Sequence, residues 1–252
     1  MDKNSTAKQY NPPKKYVSGR LSSFINWAES MNEKYSINGN PPVYDNSSFP
    51  WVKEVESEWL TIRSELEDVM KFRTELPNFH DIVTDIKPIS SDNNWKTYFL
   101  AGYGIESEQN CKRCPETARI LKRIPGMKTA FFSILSPDKH IPAHKGPFNG
   151  VLRYHLGLIV PEPKEKCRIR VHDQMKTWDE GQSLIFDDTY EHEVWNETAG
   201  FRVVLFVDFV RPIKFPFSLF NKLIIFAAAY IPTTQEASQN QKKWEKKFYK
   251  KK

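Results

Sequence analysis

The stretch from His140 to Pro212 constrains the fold of this chain more than any other, because it combines short strands with most of the histidines. Five of the six histidines lie within it. Turns rich in glycine and proline divide it into short apolar segments. Those with strand character are 151–160, 167–173, 182–188 and 201–209. Short strands at close spacing predict a β-sandwich or barrel, whose mouth can hold a metal ion between histidines.

Helices are predicted to flank this β region. Apolar residues between positions 52 and 69 recur at alternating steps of three and four, which is one face of a helix. The residues of this stripe are Val52, Val55, Trp59, Ile62, Leu66 and Val69. We expect the stripe to pack on the outside of the barrel. A further helix is predicted within 17–35, and further strands at 95–100 and 127–136.

Composition divides the chain into three parts: a polar N-terminal extension at 1–48, a central domain at 49–212, and an extension at 213–252 that is first apolar and then rich in lysine. The net charge is +6, and residues 242–252 alone carry seven lysines against one glutamate. A charge confined to a tail does not predict a nucleic-acid-binding protein. Three cysteines and an N-terminus without an apolar run predict a cytoplasmic protein without a secretory signal.

Cys111 and Cys114 form a C-x-x-C motif directly before Pro115. Such a motif invites a zinc or redox interpretation. No second pair of metal ligands lies nearby in the sequence, so we expect two ordinary thiols at the start of a helix. Pro115 suits the first position of that helix.

The candidate metal ligands are the five clustered histidines: His140, His144, His155, His172 and His192. Many non-haem iron oxygenases use two histidines and one carboxylate on one face of the metal. The carboxylate usually stands two residues after the first histidine, but here Gly146 follows His144 at that spacing. Residue chemistry alone therefore leaves open that these histidines are packed or surface residues.

Arg202 lies in a strand that is otherwise apolar, so it should have an anionic partner. A dicarboxylate such as 2-oxoglutarate could accept two parallel hydrogen bonds from its guanidinium. The alternative is an ion pair with Asp187 or Asp208. Arg153 and His155 stand two residues apart on a strand and should therefore face the same side.

Four motifs together resemble the aspartyl/asparaginyl β-hydroxylase family of Fe(II)- and 2-oxoglutarate-dependent dioxygenases. They are H-K-G-P-x-N from His144, L-R-Y-H-L-G-L from Leu152, W-D-E-G-Q-S-L-I-F-D-D from Trp178 and E-H-E-V-W from Glu191. The resemblance covers roughly residues 50–212. It implies a mainly β fold with flanking helices, a double-stranded β-helix or jelly roll. Glycine after the first histidine is typical of a branch whose iron is held by two histidines.

The resemblance also implies roles for individual residues. His144 and His192 would be the iron ligands and therefore the catalytic residues. The residues that would contact 2-oxoglutarate are Arg202 and Ser133 at its far carboxylate, Arg153 and His155 as further contacts, and Trp95 closing the pocket. The implied reaction inserts one oxygen atom of O2 into a C–H bond and releases succinate and CO2.

The substrate is left open by the resemblance, because relatives hydroxylate protein Asp or Asn, free amino acids or lipid acyl chains. Residues 213–232 are largely apolar, but the run from Leu223 to Ile231 is nine residues, and crossing a bilayer takes about 20. With the lysines and with Trp244 and Phe248 behind it, the segment fits a helix at an anionic membrane surface. A helix packed on the barrel is the alternative. The sequence thus predicts a hydroxylase of a peptide, amino acid or lipid, peripheral on the membrane in the lipid case. A cupin-like module without catalysis is the remaining alternative.

Overall fold

A computed structural model describes residues 20–103 and 105–250. Residues 1–19, which include much of the predicted polar extension, and the last two lysines of the tail lie outside the described residues. The helices are α1 Arg20–Lys34, α2 Val52–Glu56, α3 Trp59–Met70, α4 Phe79–Ile82, α5 Glu108–Arg113, α6 Pro115–Leu121, α7 Phe217–Ala228 and α8 Pro232–Tyr249. The strands are β1 Val43–Tyr44, β2 Trp95–Gly102, β3 Ile105–Glu106, β4 Met127–Leu135, β5 Lys139–His144, β6 Val151–Ile159, β7 Cys167–Val171, β8 Gln174–Thr177, β9 Ser183–Phe186, β10 His192–Asn196 and β11 Arg202–Val210.

Strands β4 to β11 build two facing antiparallel sheets. The larger sheet has the order β9-β6-β11-β4 in its centre, and the smaller sheet has the order β5-β10-β7-β8. Apart from the β7–β8 hairpin, consecutive strands alternate between the two sheets. This is the connectivity of a jelly roll, and the predicted double-stranded β-helix is confirmed. Strands β1, β2 and β3 extend the larger sheet at its two edges.

Strand alternation separates two apolar cores and determines which side chains face the inside of the jelly roll. Along β11, Val203 and Leu205 join the core beneath the helices, whereas Val204 and Phe206 join the core between the sheets. Arg202 shares the parity of the second pair, so it faces inward. The same alternation directs four other predicted site residues to the inside: Trp95, Ser133, Arg153 and His155.

The predicted apolar stripe between positions 52 and 69 packs on the outer face of the larger sheet, as expected, but it lies on two helices instead of one. The break falls at Ser57 and Glu58, between α2 and α3. The Ser57 hydroxyl donates to the Glu54 carbonyl over 2.8 Å and thereby competes with continued helix. The side chains of the stripe are nevertheless buried, Trp59 partly, on both sides of the break.

The lysine-rich tail forms α8, and this helix is docked on the domain. Phe248 is 4% exposed and stacks on Trp244 with 4.8 Å between ring centroids. The Trp244 indole N–H donates to the Glu75 carbonyl over 3.1 Å, and the hydroxyls of Tyr98 and Tyr249 are 3.0 Å apart. The structure therefore agrees with the alternative that the sequence left open, a helix packed on the domain.

Among the residues that the structure describes, no single helix is both long and apolar enough to cross a bilayer. The pair α7 and α8 satisfies length and composition jointly, with a bend of 54° between them.

Candidate active site

His144 and His192 meet side by side at one end of the smaller sheet. His144 ends β5, His192 begins β10, and the two residues are paired in the ladder between these strands. Their ring centroids are 4.1 Å apart. The Nδ1 of His144 donates to the Pro142 carbonyl over 2.8 Å, and the Nδ1 of His192 donates to the Tyr190 carbonyl over 3.0 Å. Since a carbonyl only accepts, each ring carries its proton on Nδ1 and keeps a lone pair on Nε2.

Both rings are held in the neutral form that a metal requires. Burial lowers the pKa of His144 to about 4, and it lowers the pKa of His192 well below the usual value. Arg153 acts in the same direction on both rings through its positive charge. Neutral imidazoles with fixed Nε2 lone pairs are suitable ligands for a divalent iron.

Asp188 occupies the space where residue 146 would otherwise carry a side chain. A Cβ on Gly146 would stand 2.1 Å from Oδ2 of Asp188, and the Gly146 N–H donates to the Asp188 carbonyl over 2.6 Å. Oδ2 pairs with Arg153 over 2.8 Å, whereas the buried Oδ1 has no hydrogen-bond partner among the described residues. Burial raises the pKa of Asp188 to about 7, and Arg153 opposes that rise. The space beside Gly146 is thus filled by the carboxylate of Asp188, which follows the end of β9.

Replacing Gly146 by alanine is expected to destabilise the protein by about 1–3 kcal/mol, because the added methyl group overlaps the Asp188 carboxylate and must displace it. Urea unfolding of the metal-free protein measures this loss. Gly102→Ala is the matched control, since a Cβ at Gly102 meets no atom within 4 Å. Equal stability of the two variants would contradict the close approach.

Within residues 20–103 and 105–250, no group of three or more His, Cys, Asp and Glu side chains could hold a metal ion. No third protein ligand extends the histidine pair in these residues, and its role as a metal site stays a prediction.

Arg202 is buried, and no carboxylate among the described residues pairs with it. It is 2% exposed, and neither its Nε nor its Nη1 makes a hydrogen bond within the described part of the chain. Its guanidinium lies 4.7 Å from the ring centroid of Trp178. Burial lowers the pKa of Arg202 to about 10, so it stays protonated at neutral pH. A buried charged group with unsatisfied donors lowers the stability of the fold, and an anionic ligand that accepts their hydrogen bonds would remove that cost.

The two aspartates considered as partners of Arg202 are engaged elsewhere. Asp187 pairs with Arg211, and Asp208 pairs with Arg153 over 3.0 Å. The hypothesis that Arg202 forms an intramolecular ion pair with either of them is therefore excluded.

Two more buried side chains near Arg202 carry unsatisfied polar atoms. Neither ring nitrogen of His155, nor the indole N–H of Trp178, has a hydrogen-bond partner among the residues described. The His155 ring centroid lies 6.0 Å from Trp178 and 5.1 Å from both Phe186 and Phe206. Trp178 was not singled out from the sequence, although it opens the W-D-E-G motif. The unsatisfied atoms fit a polar ligand enclosed by apolar walls.

Ser133 and Trp95 complete the inner wall beside Arg202. The Trp95 indole N–H donates to Oγ of Ser133 over 3.0 Å, and both side chains are buried. Ser133 pairs with Val204 in the ladder, and Arg202 pairs with Leu135, so Ser133 and Arg202 are diagonal neighbours on adjacent strands. The Ser133 oxygen accepts a hydrogen bond from Trp95, and the Ser133 hydroxyl can still donate its own proton to a ligand.

Arg153 differs from Arg202 in that its charge is balanced. It pairs with Asp188 and Asp208, and its guanidinium lies 4.3 Å from the ring centroid of Phe206. Arg153 therefore fixes the position of the Asp188 carboxylate. Its predicted contact with a cosubstrate stays a prediction.

A second buried ion pair, Arg211 with Asp187, supports the segment that leads to His192. Arg211 also donates to the Asn149 carbonyl over 2.6 Å and to the Tyr44 hydroxyl over 2.9 Å. Asp187 accepts from the backbone and the hydroxyl of Thr189. These bonds join the turn before His192 to the loop after His144.

Arg211→Leu is expected to cost about 3–5 kcal/mol of unfolding free energy, because it leaves the buried Asp187 carboxylate without its cation. Chemical denaturation measures the loss. The double variant Arg211→Leu/Asp187→Asn should lose clearly less than the sum of the single variants. Simple additivity of the two losses would show that the pair is not coupled.

The C-x-x-C thiols belong to the hydrophobic packing. Cys111 donates to the Leu100 carbonyl over 3.3 Å, and Cys114 is fully buried at the boundary of α5 and α6. Burial raises the pKa of Cys111 to about 12 and raises that of Cys114 further. Thiols held in the protonated form are poor ligands and nucleophiles, which agrees with the interpretation as ordinary thiols. Pro115 takes the first position of α6, as predicted.

A family model and two hydroxylases match this sequence. Residues 56–212 match the family model described as aspartyl/asparaginyl beta-hydroxylase. The chain is 56% identical over 227 residues to the ornithine lipid ester-linked acyl 2-hydroxylase of Rhizobium tropici, a match that covers 90% of this chain and 81% of that protein. It is 37% identical over 166 residues to the human aspartyl/asparaginyl beta-hydroxylase, covering 64% of this chain but only 21% of that much longer protein.

Among solved structures, a prolyl-4-hydroxylase from Pseudomonas putida superposes with a TM-score of 0.42 at 14% identity. The superposition covers 61% of this chain and 87% of that one.

Proposed function

The chain belongs to the aspartyl/asparaginyl β-hydroxylase family, and on that basis we propose that it is an Fe(II)- and 2-oxoglutarate-dependent hydroxylase of a lipid acyl chain. The observation that carries the proposal is Arg202: a protonated, buried guanidinium with unsatisfied donors on the inner face of a jelly roll. Such a group fits the far carboxylate of a dicarboxylate. The histidine pair fits a metal that would hold the other end.

The residues divide the work between them. His144 and His192 would hold the iron, which when bound supplies the activation of O2 and the cleavage of an unactivated C–H bond. Arg202 and the Ser133 hydroxyl would bind the far carboxylate of 2-oxoglutarate. His155 and Trp178 would offer hydrogen bonds within the same pocket.

Asp188 lies next to the histidine pair, and its Oδ1 has no hydrogen-bond partner among the described residues. Its Oδ1 could accept a hydrogen bond from a water molecule at the site, while Arg153 fixes Oδ2. The buried rings of Phe186 and Phe206 would keep other water away from the reacting atoms.

The proposed substrate is the acyl chain of an ornithine-containing or similar membrane lipid. Its support is the extent of the match to the lipid hydroxylase, which spans most of both chains. The match to the human aspartyl/asparaginyl beta-hydroxylase covers 21% of that protein, so a peptide substrate has less support. A lipid substrate would place the protein at the cytoplasmic face of a membrane as a peripheral protein.

A substrate comparison tests this function. The purified protein is incubated with Fe(II), 2-oxoglutarate and O2, together with an ornithine lipid, an Asp- and Asn-containing peptide or free amino acids. Mass spectrometry should find one added oxygen in the acyl chain of the lipid alone, with succinate formed in equal amount. Hydroxylation of the peptide instead would overturn the lipid assignment, and absence of succinate with every substrate would favour a non-catalytic module.

A further inference from the structure

Helix α7 exposes an apolar face that the fold itself does not explain. Within its twelve residues Lys222 is the one charged side chain. Leu219, Leu223, Phe226 and Tyr230 follow at steps of four, three and four, and they are 56%, 64%, 63% and 67% exposed. An exposed apolar stripe of this length on a soluble domain marks an interaction surface.

Helix α1, from the other end of the described chain, widens this stripe. Trp27 is 41% exposed and contacts Phe217 and Phe220 at centroid distances of 6.3 and 6.1 Å. Phe24 lies beside Trp27 and is 42% exposed. The surface formed by Trp27, Leu219, Phe220, Leu223, Phe226 and Tyr230 is called the α1–α7 face below.

The α1–α7 face is joined to the loop that follows His144. The side chain of Asn32 on α1 donates to Asn149 over 3.0 Å and to Asn221 on α7 over 3.3 Å. Asn221 in turn donates to the Gly150 carbonyl over 2.8 Å. Asn149 and Gly150 end the loop that begins at Lys145, directly after the predicted metal ligand.

These amides are buried, so the connection is rigid. Asn221 is the buried polar residue on a helix whose other side is largely exposed. The α1–α7 face is therefore the outer side of two helices whose buried side contacts the loop of residues 145–150, directly after His144.

The chemistry of the face fits a lipid bilayer. Aliphatic and aromatic side chains are mixed, as in helices that lie in the plane of a membrane interface. The exposed cations Lys34, Lys214 and Lys222 adjoin it in sequence, and α7 has no acidic residue. A lipid acyl chain has to leave the bilayer to reach an iron site inside a protein, so a membrane contact beside that site is required by the chemistry.

We propose that the α1–α7 face is the surface on which this protein docks to a lipid bilayer, with α1 and α7 lying in the interface. The proposal rests on the lipid substrate proposed above for its choice of partner. It assigns docking to α7 together with the N-terminal α1, and it leaves α8 packed on the domain. Apolar insertion should make the contact largely insensitive to salt, in contrast to a contact made by lysines alone.

Co-sedimentation of the full chain with phosphatidylcholine vesicles, with and without an anionic phospholipid, tests the docking surface. The double variant Leu223→Glu/Phe226→Glu should reduce the partition onto both kinds of vesicle by about tenfold or more. Leu60→Glu is the matched control, since Leu60 is 65% exposed on α3, which packs against α6 and β6. It should bind as the wild type does, and both variants should keep the wild-type circular dichroism and Tm.

Several results would overturn the proposal. Wild-type protein that stays in the supernatant with both vesicles excludes a bilayer, and unchanged binding of the double variant excludes this face. If the wild type is a dimer in sedimentation and the double variant a monomer, the face is covered by a second copy.

Hydroxylation of a detergent-dispersed lipid separates this proposal from the proposed function. If wild type and double variant turn over equally in detergent and the wild type does not bind vesicles, the proposed function stands and the docking surface is excluded. Vesicle binding without any hydroxylation does the reverse.

Discussion

Replacing His192 by alanine is expected to abolish succinate formation and hydroxylation while leaving the fold intact. His192 is one of the two proposed iron ligands, and changes to residues that merely orient metal ligands already cost about 10–100-fold. The loss should therefore exceed about 100-fold. Metal analysis of the purified variant should find much less bound iron, and its Tm in metal-free buffer should stay close to that of the wild type.

His140→Ala provides the control for this experiment. His140 lies on β5, the strand that ends at His144, but it is exposed, stacks on Trp195 and hydrogen-bonds to Glu193 over 2.7 Å. Its loss should leave both iron content and turnover near the wild-type values. Full activity in the His192 variant, or equal losses in the two variants, would contradict the assignment of the metal site.

Replacing Arg202 by methionine is expected to lower the affinity for 2-oxoglutarate by one to two orders of magnitude. Hydrogen bonds to a charged partner contribute about 1.5–3 kcal/mol, and every 1.4 kcal/mol corresponds to about tenfold in affinity. Calorimetric titration in the presence of Mn²⁺, which avoids turnover, measures the change. Arg168→Met is the control, because Arg168 is partly exposed and already paired with Glu197 over 2.7 Å.

The same substitution, Arg202→Met, is expected to stabilise the ligand-free protein. Without ligand, Arg202 is a buried charge with unsatisfied donors, so its replacement should raise the unfolding free energy by about 1 kcal/mol or more. If Arg202 formed a structural ion pair, its replacement would instead lower the unfolding free energy. Lower stability together with unchanged affinity for 2-oxoglutarate would return Arg202 to a purely structural role.

Strand periodicity explains why much of the site could be predicted from the sequence. A period of two predicted that Arg153 and His155 face the same side of their strand. The structure shows that this is the inner side, which Arg202 shares. The family resemblance implied His144 and His192 as iron ligands. The structure brings these two residues together through the β5–β10 ladder, and their role as ligands stays a prediction.

Contacts between distant segments explain what sequence reasoning missed. Whether Arg202 pairs with Asp187 or Asp208 depends on which other arginines reach those carboxylates, and that follows from the tertiary fold alone. Trp178 lies in a turn motif, and its contact with Arg202 becomes visible in three dimensions. Trp244 and Phe248 had the composition of a membrane anchor, but packing against Glu75 and the domain core decided their position.

The measurement that tests the central claim most directly is the fate of dioxygen during turnover. The wild-type protein is supplied with Fe(II), 2-oxoglutarate, an ornithine lipid and O2 labelled with the heavy isotope. A 2-oxoglutarate-dependent hydroxylase should place one labelled oxygen in the lipid acyl chain and one in succinate, in equal amounts. Hydroxylated lipid without label, or label in the lipid without succinate, would contradict the account.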